Sequence, residues 1–365
     1  MTIIQNLPNV AFSENAPDLI IGGYLGEAVQ ISAILHGAAL FSDTTFYTDS
    51  KFRITINTRQ LARNLPPQAA PDYPWAQSLP TLNISITAGD QQEKISCSII
   101  PGGIDPKITD IPEWMVHNFL TWQPQIIETT PEQPQQLYLV GSKDINRIIY
   151  TKLYTKDGLS FIKKIGDPGS NAVFLYRYNV GYSDLWEAFC KEKGVSPLCY
   201  DVYGTDGDGS TMFPQMPYAQ RYILREQRYN DVCFGFINTL GGFDTLMMQG
   251  QITLKPDGEN ITFVTNDLET ELTNGYTSYW EASTGYIDSG RMASQYQDFL
   301  KSPKRWIYKD GNWLKIIVDE YKVEDSSLEL NDYTFKYHLA EKNERRYFDR
   351  KTLLEPALPT KIFKE

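Results

Sequence analysis

The first part of the chain alternates apolar and polar residues with a period of two. Residues 52–56 and 82–86 both follow this pattern, which is typical of half-buried β-strands. The second run leads through Gly89 and Asp90 into the strand-like residues 94–99, and this order predicts a hairpin. We therefore expect a small β-sandwich over residues 1–105.

Residues 106–227 carry a second series of predicted strands and two short helices. The strands cover residues 136–140, 147–154, 159–164, 198–203 and 222–224. The turn Lys156-Asp157-Gly158 is the strongest hairpin signal of the chain. One helix is predicted at 110–120. Another is predicted at 183–190, with Ser183 as its N-cap and Gly194 marking its end.

Residues 228–365 form the third predicted domain. Two hairpins are expected, one joining 232–237 to 243–248 and one joining 306–308 to 313–318. Residues 252–254 and 261–264 are predicted as strands separated by a turn at 255–258. A helix is predicted at 290–301, where Met292, Tyr296, Phe299 and Leu300 share one face. Residues 342–365 are charged and contain proline, which indicates an extended C-terminal arm.

These patterns predict a mostly β fold of tandem antiparallel β-sandwich domains with a few short helices. The 365 residues exceed the size at which a single hydrophobic core usually stops growing, which favours several domains. Aromatic residues are frequent, with 23 Tyr, 17 Phe and 7 Trp. Tyrosine suits strands and is also enriched at protein interfaces, so both interpretations stay open.

The charge excludes two classes of partner. The 34 Lys and Arg against 45 Asp and Glu give a net charge of −11, which opposes binding to nucleic acid or to an anionic membrane surface. The longest nearly apolar stretch, residues 31–41, is much shorter than the roughly 18 residues that a membrane span needs. Residues 1–6 lack a basic region and a cleavage signature, so we expect no secretion signal.

The sequence contains none of the common catalytic motifs that we sought: a G-x-S-x-G elbow, a phosphate-binding loop or H-E-x-x-H. Its three histidines, His36, His117 and His338, are expected to be ordinary surface or core residues. We therefore expect no catalytic, cofactor-binding or metal-binding residues, no cofactor and no enzymatic activity. The four cysteines are expected to be reduced and buried; they are Cys97, Cys190, Cys199 and Cys233.

Two patterns leave a functional alternative open. Asp206 and Asp208 alternate with glycines and could wrap a calcium ion, but in the EF-hand register Gly204 and Gln215 take the end positions, where carboxylates are needed. A surface loop is the favoured interpretation. Glu281, next to Trp280, could pair with Asp288 as the two carboxylates of a glycoside hydrolase, although their spacing does not distinguish them from other acids.

The most distinctive stretch is residues 236–246, Phe-Ile-Asn-Thr-Leu-Gly-Gly-Phe-Asp-Thr-Leu, followed by Gly250. We expect its two glycines to supply positive-φ turn geometry, and Asp244 and Thr245 to bond back to the turn backbone. This stretch resembles a segment of structural proteins from tailed phages and prophages of gut anaerobes. Residues 119–124 with 131–132 and 137–138, and residues 284–286 with 298–302, have a similar character.

The resemblance implies a tail or baseplate component, similar by role to the distal tail proteins that form a ring in the tail. It implies a virion protein made in the host cytoplasm that forms a homo-oligomer, with three- or six-fold rings expected, and that binds other tail proteins. Exposed loops or the C-terminal arm, residues 342–365, would clasp a neighbour. A carbohydrate-binding or adhesive β-sandwich module is the alternative, with exposed Trp and Tyr as stacking surfaces.

Overall fold

The computed structural model describes most of the chain, and the fold is mostly β, as predicted. The described residues are 1–23, 28–63, 65, 71, 76–108, 110–111, 114–115, 118–141, 147–167, 173–206, 219–228, 231–265, 268–287, 290–323 and 332–340. They contain twenty-three strands, which form five sheets. No helix in these ranges is long and apolar enough to cross a membrane.

The N-terminal region forms two facing sheets around one apolar core. Its elements are β1 (Thr2–Gln5), β2 (Val10–Phe12), β3 (Leu19–Gly22), β4 (Ala28–Leu35), β5 (Ala38–Tyr47), β6 (Arg53–Ile56), α1 (Thr58–Ala62), β7 (Ala76–Ser78), β8 (Thr81–Ala88) and β9 (Gln91–Ile100). Strands β2-β9-β8-β4-β5 form one sheet and β1-β3-β6 the other. Side chains alternate in and out along β4 and β8, so Ile31 and Ile84 meet Ile21 and Ile54 in the core. The predicted β8–β9 hairpin is confirmed, with Gly89 at φ +57°.

Strand β5 is an edge strand of the larger sheet and pairs only with β4 among the described strands. Its ten residues are exposed or half-buried along their whole length, and Tyr47 is 67% exposed. The strand contains one charged residue, Asp43, and neither lysine nor proline. It therefore lacks the side chains that most often protect a sheet edge.

The second region contains a larger and a smaller sheet. Its elements are β10 (Ile126–Thr129), β11 (Gln136–Gly141), β12 (Arg147–Thr155), β13 (Ser160–Gly166), β14 (Phe174–Asn179), α2 (Tyr182–Leu185), α3 (Glu187–Lys193), β15 (Pro197–Asp206) and β16 (Gln220–Leu224). The larger sheet has the order β10-β16-β15-β12-β13 and the smaller one β11-β14-β7, so β7 joins a sheet of the second region. The hairpin of β12 and β13 is confirmed, with Gly158 at φ +79°. The boundaries at 105 and 227 stay predictions.

The two predicted helices of this region differ from expectation. The helix expected at 183–190 is interrupted at Trp186 (φ −128°), because its indole turns into the core and donates a hydrogen bond to Thr151 at 3.0 Å. The first part begins after Gly181, so Ser183 is not the N-cap, whereas Gly194 ends the second part at φ +66° as predicted. The stretch 110–120 lies partly outside the described residues, and its end is not helical: the Leu120 N–H donates to the Tyr138 carbonyl at 2.8 Å.

The third region is built on a single antiparallel sheet of seven strands. Its elements are β17 (Val232–Ile237), β18 (Phe243–Met248), β19 (Ile252–Thr265), β20 (Leu268–Ser283), α4 (Gly290–Lys301), β21 (Arg305–Lys309), β22 (Asn312–Val323) and β23 (Tyr333–Leu339). The strand order is β18-β17-β21-β22-β23-β20-β19. Helix α4 places Tyr296, Phe299 and Leu300 against Phe234 and Phe335 of the sheet, as its predicted apolar face requires.

The predicted turn at residues 255–258 is wrong. Strand β19 runs through it without interruption and pairs with β20 along its whole length, with a register shift at Gly258. Proline has no backbone N–H to donate to a neighbouring strand. Because β19 is an edge strand, with a partner on one side only among the described strands, Pro256 is tolerated within it. The sequence analysis therefore missed β20. The hairpin of β21 and β22 is confirmed, with Asp310 and Gly311 at positive φ.

We expect the aromatic core of the third region to make a large contribution to stability. Phe234 is fully buried, and its ring meets the rings of Phe299, Phe335 and Tyr337 edge-on at centroid distances of 5.8, 5.5 and 5.5 Å. Phe234→Ala should lower the free energy of unfolding by about 3–5 kcal/mol, measured by urea unfolding. Tyr321→Ala is the control, since Tyr321 is 55% exposed, and it should change the value by less than about 0.5 kcal/mol. Equal effects of the two variants would contradict this interpretation of the core.

Candidate functional site: a buried polar junction

The distinctive stretch 236–246 forms the β17–β18 hairpin, and Asn238 organises its turn. The Asn238 N–H donates to the Gly242 carbonyl at 3.0 Å, and the Asn238 side-chain oxygen accepts from the Gly242 N–H at 2.9 Å. Gly241 has φ +82°, so the predicted positive-φ role is confirmed for this glycine. Gly242 is not among the positive-φ glycines and serves a different purpose.

Gly242 permits a close approach of two backbones. A Cβ atom on Gly242 would lie 1.9 Å from the carbonyl oxygen of Leu120, which is far inside van der Waals contact. The same carbonyl accepts a hydrogen bond from the Asn238 side chain at 2.9 Å. The hairpin of the third region is thus pressed against residues 120–123 of the second region, and only glycine fits at the contact.

Asp244 is completely buried next to this contact and bonds across it. Its carboxyl group accepts hydrogen bonds from the Thr121 hydroxyl at 2.5 Å and from the Trp122 N–H at 2.9 Å. The expectation that Asp244 and Thr245 would bond back to the turn backbone is therefore wrong. Thr121, Trp122, Gln123 and Gln135 lie more than one hundred residues away in sequence, and this separation explains why local turn chemistry did not reveal them as partners.

Thr245 continues the same network through two buried glutamines. Its hydroxyl donates to the Gln135 side chain at 2.6 Å, and its carbonyl accepts from the Gln123 side chain at 2.9 Å. Gln123 also donates to Gln135 at 3.1 Å, so the three residues form a closed set. The sequence analysis named Gln123 only as part of the resembling stretch 119–124 and missed Gln135, because no sequence signal distinguishes a buried glutamine from an exposed one.

The stretch 298–302, which the resemblance also included, reaches the same hairpin. The Asp298 carboxylate accepts from the Thr239 N–H at 3.1 Å, and the Thr239 hydroxyl accepts from the Trp122 indole N–H at 2.7 Å. Ser302 donates its hydroxyl hydrogen to the Ile237 carbonyl at 2.8 Å. The third stretch, 284–286, lies at the far end of β18, where the Thr284 carbonyl accepts from the Gln249 N–H at 3.1 Å. Residues 119–124 and 298–302 therefore contact the β17–β18 hairpin, whereas Thr284 bonds to Gln249, the residue that follows β18.

Two carboxyl groups of this polar junction have altered acidity. Burial raises the pKa of Asp244 to about 7, against the hydrogen bonds from Thr121, Trp122 and Asn238, which lower it. The nearby Asp298 carboxylate raises it further. Burial also raises the pKa of Asp298, against the hydrogen bonds from Thr239. Thr121 and Trp122 donate to Asp244, and Thr239 donates to Asp298. The bonds to Asp244 join the second and third regions, the bond to Asp298 joins two segments of the third, and the buried Asp244 carboxyl is not accessible to a substrate.

The other predicted candidates are dispersed over the molecule. His36 is exposed in the turn after β4, and His338 Nδ1 lies 2.8 Å from an Asp319 carboxylate oxygen. His117, Asp208 and Asp288 lie outside the described residues, and of Asp206 only the backbone is described. Within the described ranges, no cluster of three or more His, Cys, Asp or Glu residues could hold a metal ion.

Glu281 and Trp280 do not form a joint site. Successive residues of a strand point to opposite faces, and Glu281 makes an exposed ion pair with Lys255 while Trp280 stacks on Tyr337 at a centroid distance of 5.7 Å. All four cysteines are free thiols. Three are buried as predicted, and burial raises the pKa of Cys97 to about 12, but Cys199 is only half-buried.

Comparisons with known proteins give only distant similarities. No protein-family model matches the chain, and no curated protein matches its sequence. Among solved structures, a chain from the tail of an empty gene transfer agent particle with C6 symmetry is 10% identical, with a TM-score of 0.23; the match covers 32% of this chain and 95% of that one. A chain from the virion of a native gene transfer agent particle gives 10% identity, the same coverage and a TM-score of 0.22.

Invasin, a bacterial integrin-binding protein, is 11% identical with a TM-score of 0.22, and the match covers 78% of this chain and 56% of invasin. Scores this low do not establish a common fold with any of the three.

We expect the backbone contact at Gly242 to be essential for stability. Gly242→Ala places a methyl group against the Leu120 carbonyl, where no flexible side chain can yield. The substitution should cost about 3 kcal/mol or more of unfolding free energy in urea titration. Gly194→Ala is the matched control: Gly194 has φ +66° but no atom within 4 Å of the added Cβ, so only about 1–2 kcal/mol should be lost. A smaller loss for Gly242→Ala than for Gly194→Ala would refute the contact.

The raised pKa of Asp244 predicts a pH dependence of stability. Because the folded protein keeps a proton that the unfolded chain releases at about pH 4, wild-type stability should fall as the pH rises from about 4 to about 7. Asp244→Asn keeps the shape and cannot ionise. Its stability relative to wild type should therefore rise across this window and level off above it, measured by urea unfolding at each pH. A relative stability that falls with pH would show that the junction favours the carboxylate.

Proposed function

We propose that the chain is a structural protein of a phage tail tip or baseplate, which self-assembles and connects the tail to host-recognition components. The observation that carries the proposal is that the β17–β18 hairpin, which resembles a segment of tail proteins, is bonded to residues 119–124 and 298–302, which share that resemblance. Their polar groups hydrogen-bond one segment to another. A network of this kind holds the segments in one arrangement, as a subunit that must keep its shape within an assembly requires.

The apolar packing around the junction supports the same role. One core cluster joins all three regions of the chain, with Phe12 from the first, Tyr138 from the second, and Phe243 and Trp306 from the third. Phe243 packs edge-on against Trp306 and Trp313 at 5.5 and 5.2 Å. A shared core of this kind resists relative motion of the three regions, and a rigid subunit suits a structural role in a tail.

Self-assembly requires surfaces that a copy can use, and the chain offers sheet edges. Strand β5 presents an exposed ten-residue edge, and β13 and β19 are the outer strands of two other sheets. Isologous or ring contacts can form by pairing of such edges or by an arm laid across them. We propose three- or six-fold rings and no catalytic role.

Light scattering with negative-stain imaging of the same fractions tests this proposal: discrete rings support it, and a monomer at every concentration opposes self-assembly.

We predict that the C-terminal arm contributes to assembly and not to folding. Deletion of residues 342–365 should lower the fraction of assembled protein in light scattering while the urea unfolding midpoint stays unchanged, because an arm that clasps a neighbour adds contacts only between copies. A full-length variant with residues 342–365 in scrambled order is the control for charge and length, since it keeps both. Normal assembly of the deletion variant would refute the arm, and equal assembly by the scrambled variant and wild type would reduce its role to charge.

A further inference from the structure

A cleft of about 480 Å³ opens where the second region meets the seven-stranded sheet. Its volume lies within the range of about 300–1,000 Å³ that is usual for small-ligand sites. Its lining includes residues of the segment 130–133, which precedes β11, and of the β21–β22 turn at 309–311. The floor is the end of the aromatic core of the third region. None of the junction residues described above lines the cleft, but the Thr129 hydroxyl links Gln133 of the cleft to Gln135 of the junction.

The floor of the cleft is aromatic and only partly covered. Trp280 and Tyr337 stack with an interplanar angle of 19°, Tyr337 is buried beneath, and Trp280 is half-buried. Tyr308, also half-buried, lies at the side of the cleft. Such surfaces suit a ligand with an apolar face, because the C–H groups on one side of a sugar ring carry partial positive charge and pack against the electron-rich face of an aromatic ring.

The polar groups of the rim nearly cancel in charge. Asp231 lines the cleft, but its carboxylate is held by the Arg225 guanidinium through two hydrogen bonds of 2.6 and 3.1 Å and by the Arg228 N–H at 2.7 Å. Lys309 and Asp310 are adjacent in the β21–β22 turn. Glu132 is the remaining charge. This balance favours an uncharged ligand with many hydroxyl groups over a strongly charged ion or peptide.

One buried donor in the lining has no partner among the described residues. Gln133 is 2% exposed, and its side-chain oxygen accepts from the Thr129 hydroxyl at 3.1 Å. Its Nε2 group donates to no atom in the described part of the chain. An unsatisfied buried donor costs roughly 1–3 kcal/mol, and a ligand hydroxyl could remove that cost.

We propose that this cleft binds a short, neutral oligosaccharide. A sugar ring packs on Trp280 beside Tyr308, while Gln133, Glu132 and Asp310 hold its hydroxyl groups. The assignment goes beyond the structural role proposed above and gives the tail component a direct contact with glycans. A protein segment, such as the basic C-terminal arm, is the competing occupant, and the displacement experiment below distinguishes it from a sugar.

Saturation-transfer NMR and tryptophan fluorescence on the full-length protein test the proposal. The probes are chitohexaose, cellohexaose and mannohexaose, each titrated to about 10 mM, because single-cleft sugar binding is commonly weak. We expect at least one probe to give transfer signals and a saturable fluorescence change. No response to any of the three would overturn the assignment. Assembly is measured by light scattering, so failure of sugar binding leaves the tail proposal intact, and the converse also holds.

Variants then locate the site. Trp280→Ala should weaken binding about tenfold or more, and Gln133→Met, which keeps the volume and removes the amide, should weaken it several-fold. If Trp280→Ala fails to fold, Gln133→Met still tests the site. Tyr47→Ala is the matched control, because Tyr47 is an exposed aromatic residue on β5, outside the cleft, and binding should be unchanged. Equal binding by all variants would refute the site. Displacement of the sugar by a peptide of residues 342–365 would assign the cleft to the arm.

Discussion

The contact of Gly242 with the Leu120 carbonyl sets the distance between the second and third regions, and the surrounding interactions depend on that distance. At this separation Asp244 reaches Thr121 and Trp122, Thr245 reaches Gln135, and Asn238 covers the Leu120 carbonyl. If the backbones moved apart by even one methyl group, several buried polar groups would lose their partners together. Each such loss costs about 1–3 kcal/mol, so the junction is satisfied as a unit or not at all.

Cooperation of this kind also explains why a buried carboxyl group is tolerated here. An isolated ionised Asp244 would be expensive in an apolar interior, and burial accordingly raises its pKa. The hydrogen bonds from Thr121 and Trp122 offset part of that cost. They also require a defined geometry, and therefore fix the relative position of the two segments more closely than apolar packing alone. The apolar cluster of Phe12, Tyr138, Phe243 and Trp306 supplies the bulk of the burial at the same place. Polar specificity and apolar burial therefore act on one interface.

Local chemistry made much of the fold predictable from the sequence. The hairpins at Gly89, Gly158 and Gly311 were predicted because a glycine between two strand-like runs indicates a tight turn, and all three glycines have positive φ in the structure. Helix α4 was found because its apolar face repeats at helical spacing. Errors occurred where a distant residue decides the outcome. Trp186 interrupts its helix to reach Thr151, and the turn predicted at 255–258 is overridden by pairing with β20.

The candidate site was predictable only in outline. Residues 236–246 stood out in the sequence, but the partners that Asp244 and Thr245 have in the 121–135 segment are connected to them by no spacing rule. The glutamines Gln123, Gln133 and Gln135 had no sequence signature, although they contribute the amide groups of the junction and of the cleft. A single sequence reveals turns and periodic faces well. It reveals buried polar partners poorly, because these depend on tertiary approach.

The bare edge of β5 has a consequence for how the protein behaves at different ionic strengths. Asp43 is the one charged residue of this strand, so repulsion between pairing copies would come mainly from the net charge of −11. That repulsion acts through solvent and shortens from a range of about 30 Å at 0.01 M salt to about 8 Å at physiological ionic strength. If copies assemble through β5, as proposed above, dilute buffer would keep the subunits separate and physiological salt would let the edges pair. The salt concentration, together with the concentration of subunits, would then set the onset of association.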